Sequence, residues 1–473
     1  MNDQGKINRR TFVKNTGLLG LAAGIPLSGY ASPAYSNKDG FLLKKRNIPI
    51  DNQWDVIVVG GGPSGCTAAI AAAREGAKTL LIEAMGVLGG MGTAGMVPSW
   101  TPVTDGEKII YKGLAEKVFL ESKKGVPQIP ADKNDWIPIN TEYLKTVYDG
   151  LIHHYGVKVL FFTRLASVEM SSDSTVDAVI VANKAGLTAY KAKVYVDCTG
   201  DGDLATWAGA KVFVGNDRGE TQKPSFCFSL ANVNVEAFHK ASSLHYTNKN
   251  SLIYKILDSK EFPLIIDNHV VSPMIAPGTV QFNIGHLKGL DPVKPDELTE
   301  AMFRGRQMVI QYHEALKKYL PEVYAESFIA NTCSLLSVRE TRRIEGDYIF
   351  TIDDWVARRN FEDSIGRNNY YVDVHIGDSM NDERYDHYKK GETHGIPYRT
   401  LTPKGLTNLL VAGRCISTDS LSFGSLRIMP ACLVTGEAAG LAAALAAKQS
   451  NQDVHQVDVQ QLRKRLKEEG QYI

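Results

Sequence analysis

The sequence predicts an α/β fold, in which two separated parts of the chain build a parallel sheet and an α+β unit is inserted between them. Three observations predict it. An apolar run at 55–59 ends in glycines and leads through an alanine-rich helix to a second apolar run at 78–82. Further apolar runs that end near glycine lie at 194–198 and 408–413. Between them, residues 216–330 lose this rhythm and contain alternating segments and one long amphipathic helix.

Residues 1–36 have the pattern of a twin-arginine export signal. Arg9 and Arg10 precede an apolar run at 17–27, and small residues at 34–36 offer a cleavage site. This route exports folded proteins, and a chain needs it when it takes up a cofactor before crossing the membrane. We therefore expect a periplasmic or otherwise exported protein. The apolar run is shorter than the roughly twenty residues of a membrane span, and we expect no span.

The composition is that of an ordinary globular enzyme. The 473 residues are 44% hydrophobic and 22% charged, and the net charge is +1. Nothing in these values indicates a nucleic acid or an anionic membrane as a partner. The six cysteines form no Cys-x-x-Cys pair, so we expect no metal site and interpret them as packing residues, with disulfide pairing left open.

The turn after the first apolar run carries a dinucleotide-binding fingerprint made of Gly60, Gly62, Pro63, Ser64 and Gly65. Its first glycine makes the tight turn, the second lets a pyrophosphate approach, and the third lets helix and strand pack closely. The helix N-terminus presents free N–H groups to the phosphates. Glu83 ends the second strand and is placed to accept hydrogen bonds from ribose hydroxyls.

The segments beyond Glu83 distinguish a flavin from a nicotinamide. A glycine-rich stretch follows at 86–96, and a late apolar strand leads to a second alanine-rich helix at 431–447. Over about residues 54–450 the chain resembles FAD-dependent oxidoreductases with a glutathione-reductase-type Rossmann domain. The resemblance lies in the fingerprint with Glu83, in Gly89-Gly90-x-x-Thr93, in the segments 197–203, 339–343 and 396–399, and in the block 409–440.

The resemblance implies FAD as the cofactor. It assigns further cofactor contacts to Gly90, Met91, Thr93, Thr199, Gly200, Asp201, Gly413, Arg414, Ser425 and Met429. It also implies that the last long helix points its N-terminus at the flavin pyrimidine ring, where a reduced flavin carries negative charge.

Two departures qualify this resemblance. Residues 86–100 contain no histidine, the residue that can hold FAD covalently in fumarate-reductase-like relatives, so we expect non-covalent FAD. The segment 200–205 fits a second fingerprint only by its letters, because too few residues follow for a crossover helix. We therefore expect no separate NAD(P) domain.

The expected architecture is a Rossmann-type FAD-binding domain with an inserted α+β substrate domain. Its parts are the signal at 1–36, the first FAD-binding part at 50–215, the substrate domain at 216–330, the returning FAD-binding part with catalytic-face segments at 331–450, and a C-terminal helix at 451–473.

His375 is the first candidate for proton transfer. The segment 371–376 alternates like a strand and places Tyr371, Asp373 and His375 on one face. Histidine can act as acid or base near neutral pH, and a neighbouring carboxylate can orient it. The alternative is the polar face of an edge strand. His286 and Asn283, in another predicted strand, either face the site or are satisfied polar residues of the inserted sheet.

Arginines provide the other candidates. Arg339, Arg342 and Arg343 lie within five residues, and on a helix they would share a face that clamps a carboxylate or the cofactor phosphates. An ion-pair network between domains is the alternative, and Arg399 carries the same two interpretations. His394, in a polar loop, is a weaker candidate.

These patterns predict an exported FAD-dependent oxidoreductase that transfers hydride between a small organic substrate and flavin N5. The electron acceptor is unknown, with a quinone or a redox protein as candidates. A redox-neutral, isomerase-like flavoenzyme and a non-catalytic flavin-binding protein are the alternatives.

Overall fold

The computed structural model describes residues 47–245, 247–376 and 387–473, so the predicted export signal lies outside the described residues. The strands are β1 (Ile50–Val59), β2 (Thr79–Ile82), β3 (Lys158–Leu160), β4 (Arg164–Ser172), β5 (Thr175–Asn183), β6 (Gly186–Asp197), β7 (Val212–Val214), β8 (Ser225–Ala231), β9 (Val270–Val271), β10 (Met274–Ala276), β11 (Thr279–His286), β12 (Phe328–Thr332), β13 (Arg342–Ile344), β14 (Ser364–Asn368), β15 (His394–Pro397) and β16 (Leu409–Val411). The helices are α1 (Pro63–Arg74), α2 (Leu114–Lys123), α3 (Thr141–His154), α4 (Asp203–Trp207), α5 (Val235–Lys240), α6 (Leu252–Ser259), α7 (Pro295–Tyr319), α8 (Pro321–Tyr324), α9 (Ile352–Val356), α10 (Phe423–Leu426), α11 (Met429–Ala447) and α12 (Val459–Glu468).

The main sheet is built from both halves of the chain. Strands β3, β2, β1 and β6 stand side by side in this order, β16 pairs with β6, and all of these contacts are parallel. Strands β4 and β5 continue the sheet from β6 as antiparallel neighbours. The carboxyl ends of the parallel strands share one edge, which is where ligands bind in folds of this type. The α/β fold class with a Rossmann-type sheet is confirmed.

Helices α1 and α11 cross in direct backbone contact. A Cβ at Gly436 would clash with the carbonyl oxygen of Ser64, and one at Gly440 would clash with that of Ala68. Among the described residues α11 is long and apolar enough to cross a membrane, although we expected no such segment. However, 94% of its apolar window is buried inside the protein, as in the core helix of a globular fold.

The inserted unit has a sheet and a core of its own. Strands β10, β11, β8 and β12 form an antiparallel sheet, with β9 also paired to β11. The rings of Phe228 and Phe282 stack at 4.8 Å on neighbouring strands, and α7 approaches so closely that a Cβ at Gly305 would clash with Phe226. This core draws on residues from Phe226 to Leu336 together with Met96. The expected boundary at residue 330 falls inside β12.

Two predicted local structures differ from the observed ones. Residues 371–376 form no strand. The carbonyl oxygen of Asp373 accepts from the side chain of Arg427 at 2.9 Å, and that of His375 accepts from the backbone N–H of Lys223 at 3.2 Å. Arg342 belongs to strand β13, which pairs with β7, so the arginines at 339–343 do not share a helical face. The six cysteines are all buried and free, which answers the open question of disulfides.

Candidate active site

The predicted fingerprint forms an open turn at the edge of the main sheet. Gly60 has a φ of +98°, a conformation that favours glycine, and a Cβ at Gly65 would clash with the carbonyl oxygen of Gly60. Gly62 is the N-cap of α1 and caps the helix with no side chain. A Cβ at Gly62 would meet nothing within 4 Å. The first-turn N–H groups of α1 therefore face open space that suits a phosphate.

Glu83 stands beside this turn. Its carboxylate accepts the N–H groups of Gly61 and Met85, each at 2.6 Å, and burial raises its pKa. A carboxylate has about four lone-pair sites, so further hydrogen-bond acceptors remain. Gly90 opens the short turn 90–92, and its Cβ position lies 3.0 Å from the Cα of Gly62. The predicted contacts at 83 and 90 thus border the same space.

Two later strand ends close on this space. Arg414, after β16, pairs with Asp201, after β6, at 2.6 Å. A Cβ at Gly413 would lie 2.5 Å from the Oγ of Ser64, and Gly200 lies next to the Arg414 guanidinium. Two hydroxyls among the predicted contacts serve the fold, because Thr199 donates to Asp197 at 2.7 Å and Thr93 donates to the carbonyl oxygen of Leu88 at 2.5 Å.

Ser425 differs from its predicted role. Its hydroxyl donates to the carbonyl oxygen of Tyr370 at 2.5 Å and accepts from Asn368 at 2.7 Å and from Trp355 at 3.2 Å. The side chain is fully buried. All the bonds that a hydroxyl can make are used, so Ser425 has none left for a cofactor.

A cavity of about 190 Å³ opens where the N-terminus of α11 meets the inserted sheet. Met91, Met429 and Pro430 line it on the cofactor side. Its polar lining includes Ser99, Thr101, Ser225, His245, His269, Asn283, Arg339, Asp373, His375, Arg414 and Arg427. The remaining lining is largely aliphatic and aromatic.

A chain of hydrogen bonds reaches the cavity at His375 and Asp373, which belong to its lining. Asp267 contacts Nδ1 of His286 at 2.8 Å, and Nε2 of His286 contacts Nδ1 of His375 at 3.0 Å. Nε2 of His375 contacts Asp373 at 3.0 Å. The chain joins β11 of the inserted unit to the segment that follows β14. The structure thus brings two predicted catalytic residues, His286 and His375, into direct contact.

This chain can hold two or three protons. The chain has three links, and each link needs one proton on a ring nitrogen if both carboxylates are ionised. Two neutral imidazoles carry only two such protons, so a third proton makes one of the rings cationic. Burial and the neighbouring Arg339 lower the pKa of His375 to about 4, whereas Asp373 acts in the opposite direction. Because burial also lowers the pKa of His286, we take the two-proton state as the resting state near neutral pH. The carboxylates attract both protons, so the link between the rings is the one left without a proton.

Two guanidinium groups flank the histidines. Arg427 pairs with Asp373 at 2.9 Å, and this contact together with His375 holds the pKa of Asp373 well below its usual range, against the effect of burial. Arg339 donates to Nε2 of His269 at 3.2 Å. Burial and Arg339 lower the pKa of His269 well below its ordinary value, so this ring is neutral.

The three histidines also have a spacing that a metal ion could use. One ring nitrogen from each of His269, His286 and His375 lies within 4.8 Å of the others. Arg339 donates to His269, and a guanidinium at this position repels a divalent cation. The electrostatics of Arg339 therefore oppose a divalent cation at these three histidines.

Three sequence candidates lie elsewhere. Arg342 pairs with Asp203 at 2.7 Å. Arg399 pairs with Asp363 at 2.9 Å and its side chain is about half exposed. Neither lines the cavity. His394, expected in a polar loop, is fully buried on β15. The ion-pair interpretation of the two arginines fits their positions, and we carry none of the three into the catalytic proposal.

The sequence interpretation missed Asp267, His269 and Arg427. A signal for the first two was present, because Asp267-Asn268-His269 repeats the Asp-x-His spacing of the segment that ends at His375. Arg427 had no such signal, because only the folded chain brings it to Asp373.

The sequence model of the family described as FAD dependent oxidoreductase matches residues 55–466. The dihydrolipoyl dehydrogenase of Trypanosoma brucei brucei is 52% identical over 56 residues, 12% of this chain and 12% of that protein. A fumarate reductase (cytochrome) of Shewanella frigidimarina is 40% identical over 74 residues, 15% of this chain and 13% of that protein. The chain thus matches only about an eighth of the length of these curated relatives.

Two solved structures have similar folds. A geranylgeranyl bacteriochlorophyll reductase-like protein from Thermoplasma acidophilum has a TM-score of 0.42 at 12% identity, over 89% of this chain and 83% of that one. The p-nitrophenol 4-monooxygenase of Pseudomonas putida has a TM-score of 0.41 at 12% identity, over 89% of this chain and 81% of that one.

The cofactor that this family uses fits the residues present. The uncapped N-terminus of α1 at Gly62 would hold the pyrophosphate, and Glu83 would hold the adenosine ribose. The N-terminus of α11, where Met429 and Pro430 line the cavity, would face the flavin ring with its positive end. The Asp201–Arg414 pair lies after the carboxyl ends of β6 and β16, and Arg414 belongs to the cavity lining.

Proposed function

The chain belongs to the FAD dependent oxidoreductase family, and from this premise we propose that it transfers hydride between a small organic substrate and flavin N5, with His375 moving the accompanying proton. The hydrogen-bonded chain from Asp267 to Asp373, which reaches the cavity at His375 and Asp373, is the observation that carries the proposal. Bound FAD supplies the two-electron chemistry. The proposal thus places a proton-transfer group next to the expected hydride site.

The histidine pair can take up a proton because it rests with one link unfilled. Both ring nitrogens of His375 have partners, so a substrate must displace one of them to reach the ring. The contact with His286 is the weaker one, because no proton lies between the two rings in the resting state, whereas Asp373 is a charged acceptor. His375 then exchanges a proton with the substrate while Asp373 and Arg427 hold its ring in place.

Anaerobic reduction of the bound flavin tests this function. Candidate substrates are mixed with the yellow FAD-loaded protein, and bleaching of the flavin is followed by stopped flow. We expect His375→Asn to keep FAD but to slow flavin reduction by about 10²–10⁴-fold, the usual size of a general acid or base contribution. His154→Asn, at an exposed position on α3, is the matched control and should reduce at the wild-type rate.

Two results would contradict this proposal. An unchanged rate of flavin reduction in His375→Asn would remove His375 from the chemistry. Conversion of a substrate without any electron acceptor would favour the redox-neutral alternative. In a net oxidation or reduction, the partner that exchanges electrons with the flavin is a quinone or a redox protein.

We further propose that the folded protein is exported with non-covalently bound FAD. The twin-arginine pattern lies outside the described residues, and the support from the structure is that all six cysteines are free and buried, as in chains that fold in a reducing compartment. Replacing Arg9 and Arg10 by lysine should retain the protein in the cytoplasm in a cell-fractionation assay. Acid precipitation of the mature protein should release the FAD. Export of the double variant, or FAD that stays with the precipitate, would overturn the corresponding part.

A further inference from the structure

Arg339 is a buried cation that makes no ion pair with a carboxylate among the described residues. Its side chain lines the cavity and is 7% exposed. In the described part of the chain its guanidinium donates to three uncharged acceptors: the carbonyl oxygen of Lys223 at 2.7 Å, Ser225 at 3.2 Å and His269 at 3.2 Å. Burial and Arg427 lower the pKa of Arg339 to about 10, so the group stays charged at neutral pH.

The carboxylate of the cavity lining, Asp373, already has partners. Asp373 is the acidic residue of the cavity lining, and it pairs with both Arg427 and His375. Asp201 pairs with the third lining arginine, Arg414. After these pairings Arg339 is the arginine of the cavity lining that makes no ion pair with a described carboxylate, and Asp373 and Asp267 act on it only from beyond ion-pair distance. A buried charge is costly unless it is paired, so the site favours an anion from outside the chain.

The neighbouring hydrogen bonds leave donors available for this anion. Arg339 donates to the hydroxyl of Ser225, which donates onward to Oδ1 of Asn283 at 2.5 Å. This chain orients the Asn283 amide with its N–H₂ group directed away from Ser225, and Asn283 lines the cavity. Nε of Arg427 is buried and has no partner among the described residues.

We propose that the substrate is a small monocarboxylate with an apolar body, whose carboxylate binds Arg339. The aliphatic and aromatic remainder of the lining suits that body. This inference rests on the proposed function, because it names the substrate class of the same site. Arg339 fixes the anionic end, and His375 on the same cavity wall then meets the reacting carbon.

Binding measurements test the inference separately from the redox reaction. The FAD-loaded protein is titrated with propionate and benzoate, and with the neutral isosteres propionamide and benzamide, at constant ionic strength. Flavin absorbance reports the Kd, and the thermal midpoint of unfolding is a second readout. We expect both carboxylates to bind at least about tenfold more tightly than their amides and to raise the thermal midpoint.

Arg339→Gln should weaken carboxylate binding by at least about 30-fold, the lower end of the cost of removing one partner of a buried charge pair. The same variant should leave amide binding unchanged. Arg339→Lys, which keeps a point charge, should recover part of the loss. Arg218→Gln, with an 81% exposed side chain, is the control for loss of one positive charge and should bind as wild type does.

Amides that bind as tightly as carboxylates would overturn the inference, and so would wild-type carboxylate affinity in Arg339→Gln. If Arg339→Gln loses FAD, the comparison of carboxylate with amide in the wild type and in Arg339→Lys decides the question. If propionate and benzoate bind as expected but no candidate substrate bleaches the flavin, the anion site is supported and the proposed redox function is contradicted. Bleaching by neutral compounds alone contradicts the anion site and leaves the proposed function standing.

Discussion

The side chains of the site are held by partners from distant parts of the chain. His375 bonds to His286, 89 residues away, and Asp373 bonds to Arg427, 54 residues away. Each of these bonds joins segments that lie far apart in the sequence. A single substitution therefore tests one link without removing the elements that carry it.

Gly62→Asp tests the pyrophosphate position. The Cβ position of Gly62 meets nothing within 4 Å, so the fold should tolerate a side chain there, whereas the added charge would repel the cofactor phosphates. We expect a colourless protein with an unchanged far-ultraviolet circular dichroism spectrum. Gly62→Asp protein that retains its yellow colour would mean that the pyrophosphate lies elsewhere.

His286→Asn tests the proton chain. Before a substrate takes its place, His286 accepts the hydrogen bond that stabilises the protonated form of His375, so its loss should lower the apparent pKa in the pH profile of flavin reduction at low substrate concentration. The reduction rate should fall by less than in His375→Asn, because the ring that exchanges the proton is still present. A pH profile identical to that of the wild type would assign His286 to packing alone.

At the scale of elements, the contact between α1 and α11 determines where two helix N-termini point. Both helices begin at the cofactor edge, and they touch through glycines, where a Cβ would clash with backbone. Backbone cannot move aside as a flexible side chain does. The two positive helix ends are therefore placed by the same crossing.

Gly440→Ala should separate these helices. We expect a loss of about 1–3 kcal/mol in the free energy of unfolding, the usual cost of overpacking, together with weaker FAD binding. Gly150→Ala on α3 is the matched control, because its Cβ meets nothing within 4 Å. That control should be neutral or more stable by about 0.5–1 kcal/mol, since alanine favours helices over glycine. Denaturant titration and FAD release measure both effects, and equal stabilities of the two variants would contradict the crossing.

At the scale of the whole molecule, buried histidines set the response to acid. Burial lowers the pKa of His394 from 6.5 to about 3 and that of His375 to about 4. As the pH falls below 6.5, these histidines become protonated in the unfolded chain but stay neutral in the folded chain. Stability should therefore decrease as the pH falls from 6.5 towards these lower values.

His394→Gln isolates one such group. Each proton that the unfolded chain binds and the folded chain does not adds a slope of about 1.4 kcal/mol per pH unit to the free energy of unfolding. The variant should therefore lose stability less steeply than the wild type between pH 6.5 and 4. The absolute stability of the variant will also change, because His394 bonds to Asn368 at 3.3 Å, and the slope is the relevant observable. His154→Gln, at an exposed position, should keep the wild-type slope. A variant slope equal to that of the wild type would contradict the prediction.

The sequence alone predicted the cofactor-binding half of the protein. Short-range signals carry this information: a buried strand, three glycines and an acidic residue lie within about thirty residues, and each has a local steric or electrostatic reason. The elements of the inserted unit were also predictable, because β8, β11 and α7 follow their own periodicities. His375 was singled out by its spacing from Asp373.

Only the tertiary structure decided which polar residues share the cavity. Local alternation predicted a strand at 371–376, but bonds from Arg427 and His286 hold this segment in another conformation. Arg339, Arg342 and Arg399 look alike in sequence, yet Arg342 and Arg399 pair with carboxylates in the fold, whereas Arg339 pairs with none among the described residues. Charge compensation depends on distances across the folded chain, which no local pattern encodes. The sequence therefore determined the backbone turns that would bind FAD, and the fold determined that Arg339 is the arginine proposed to bind a substrate carboxylate.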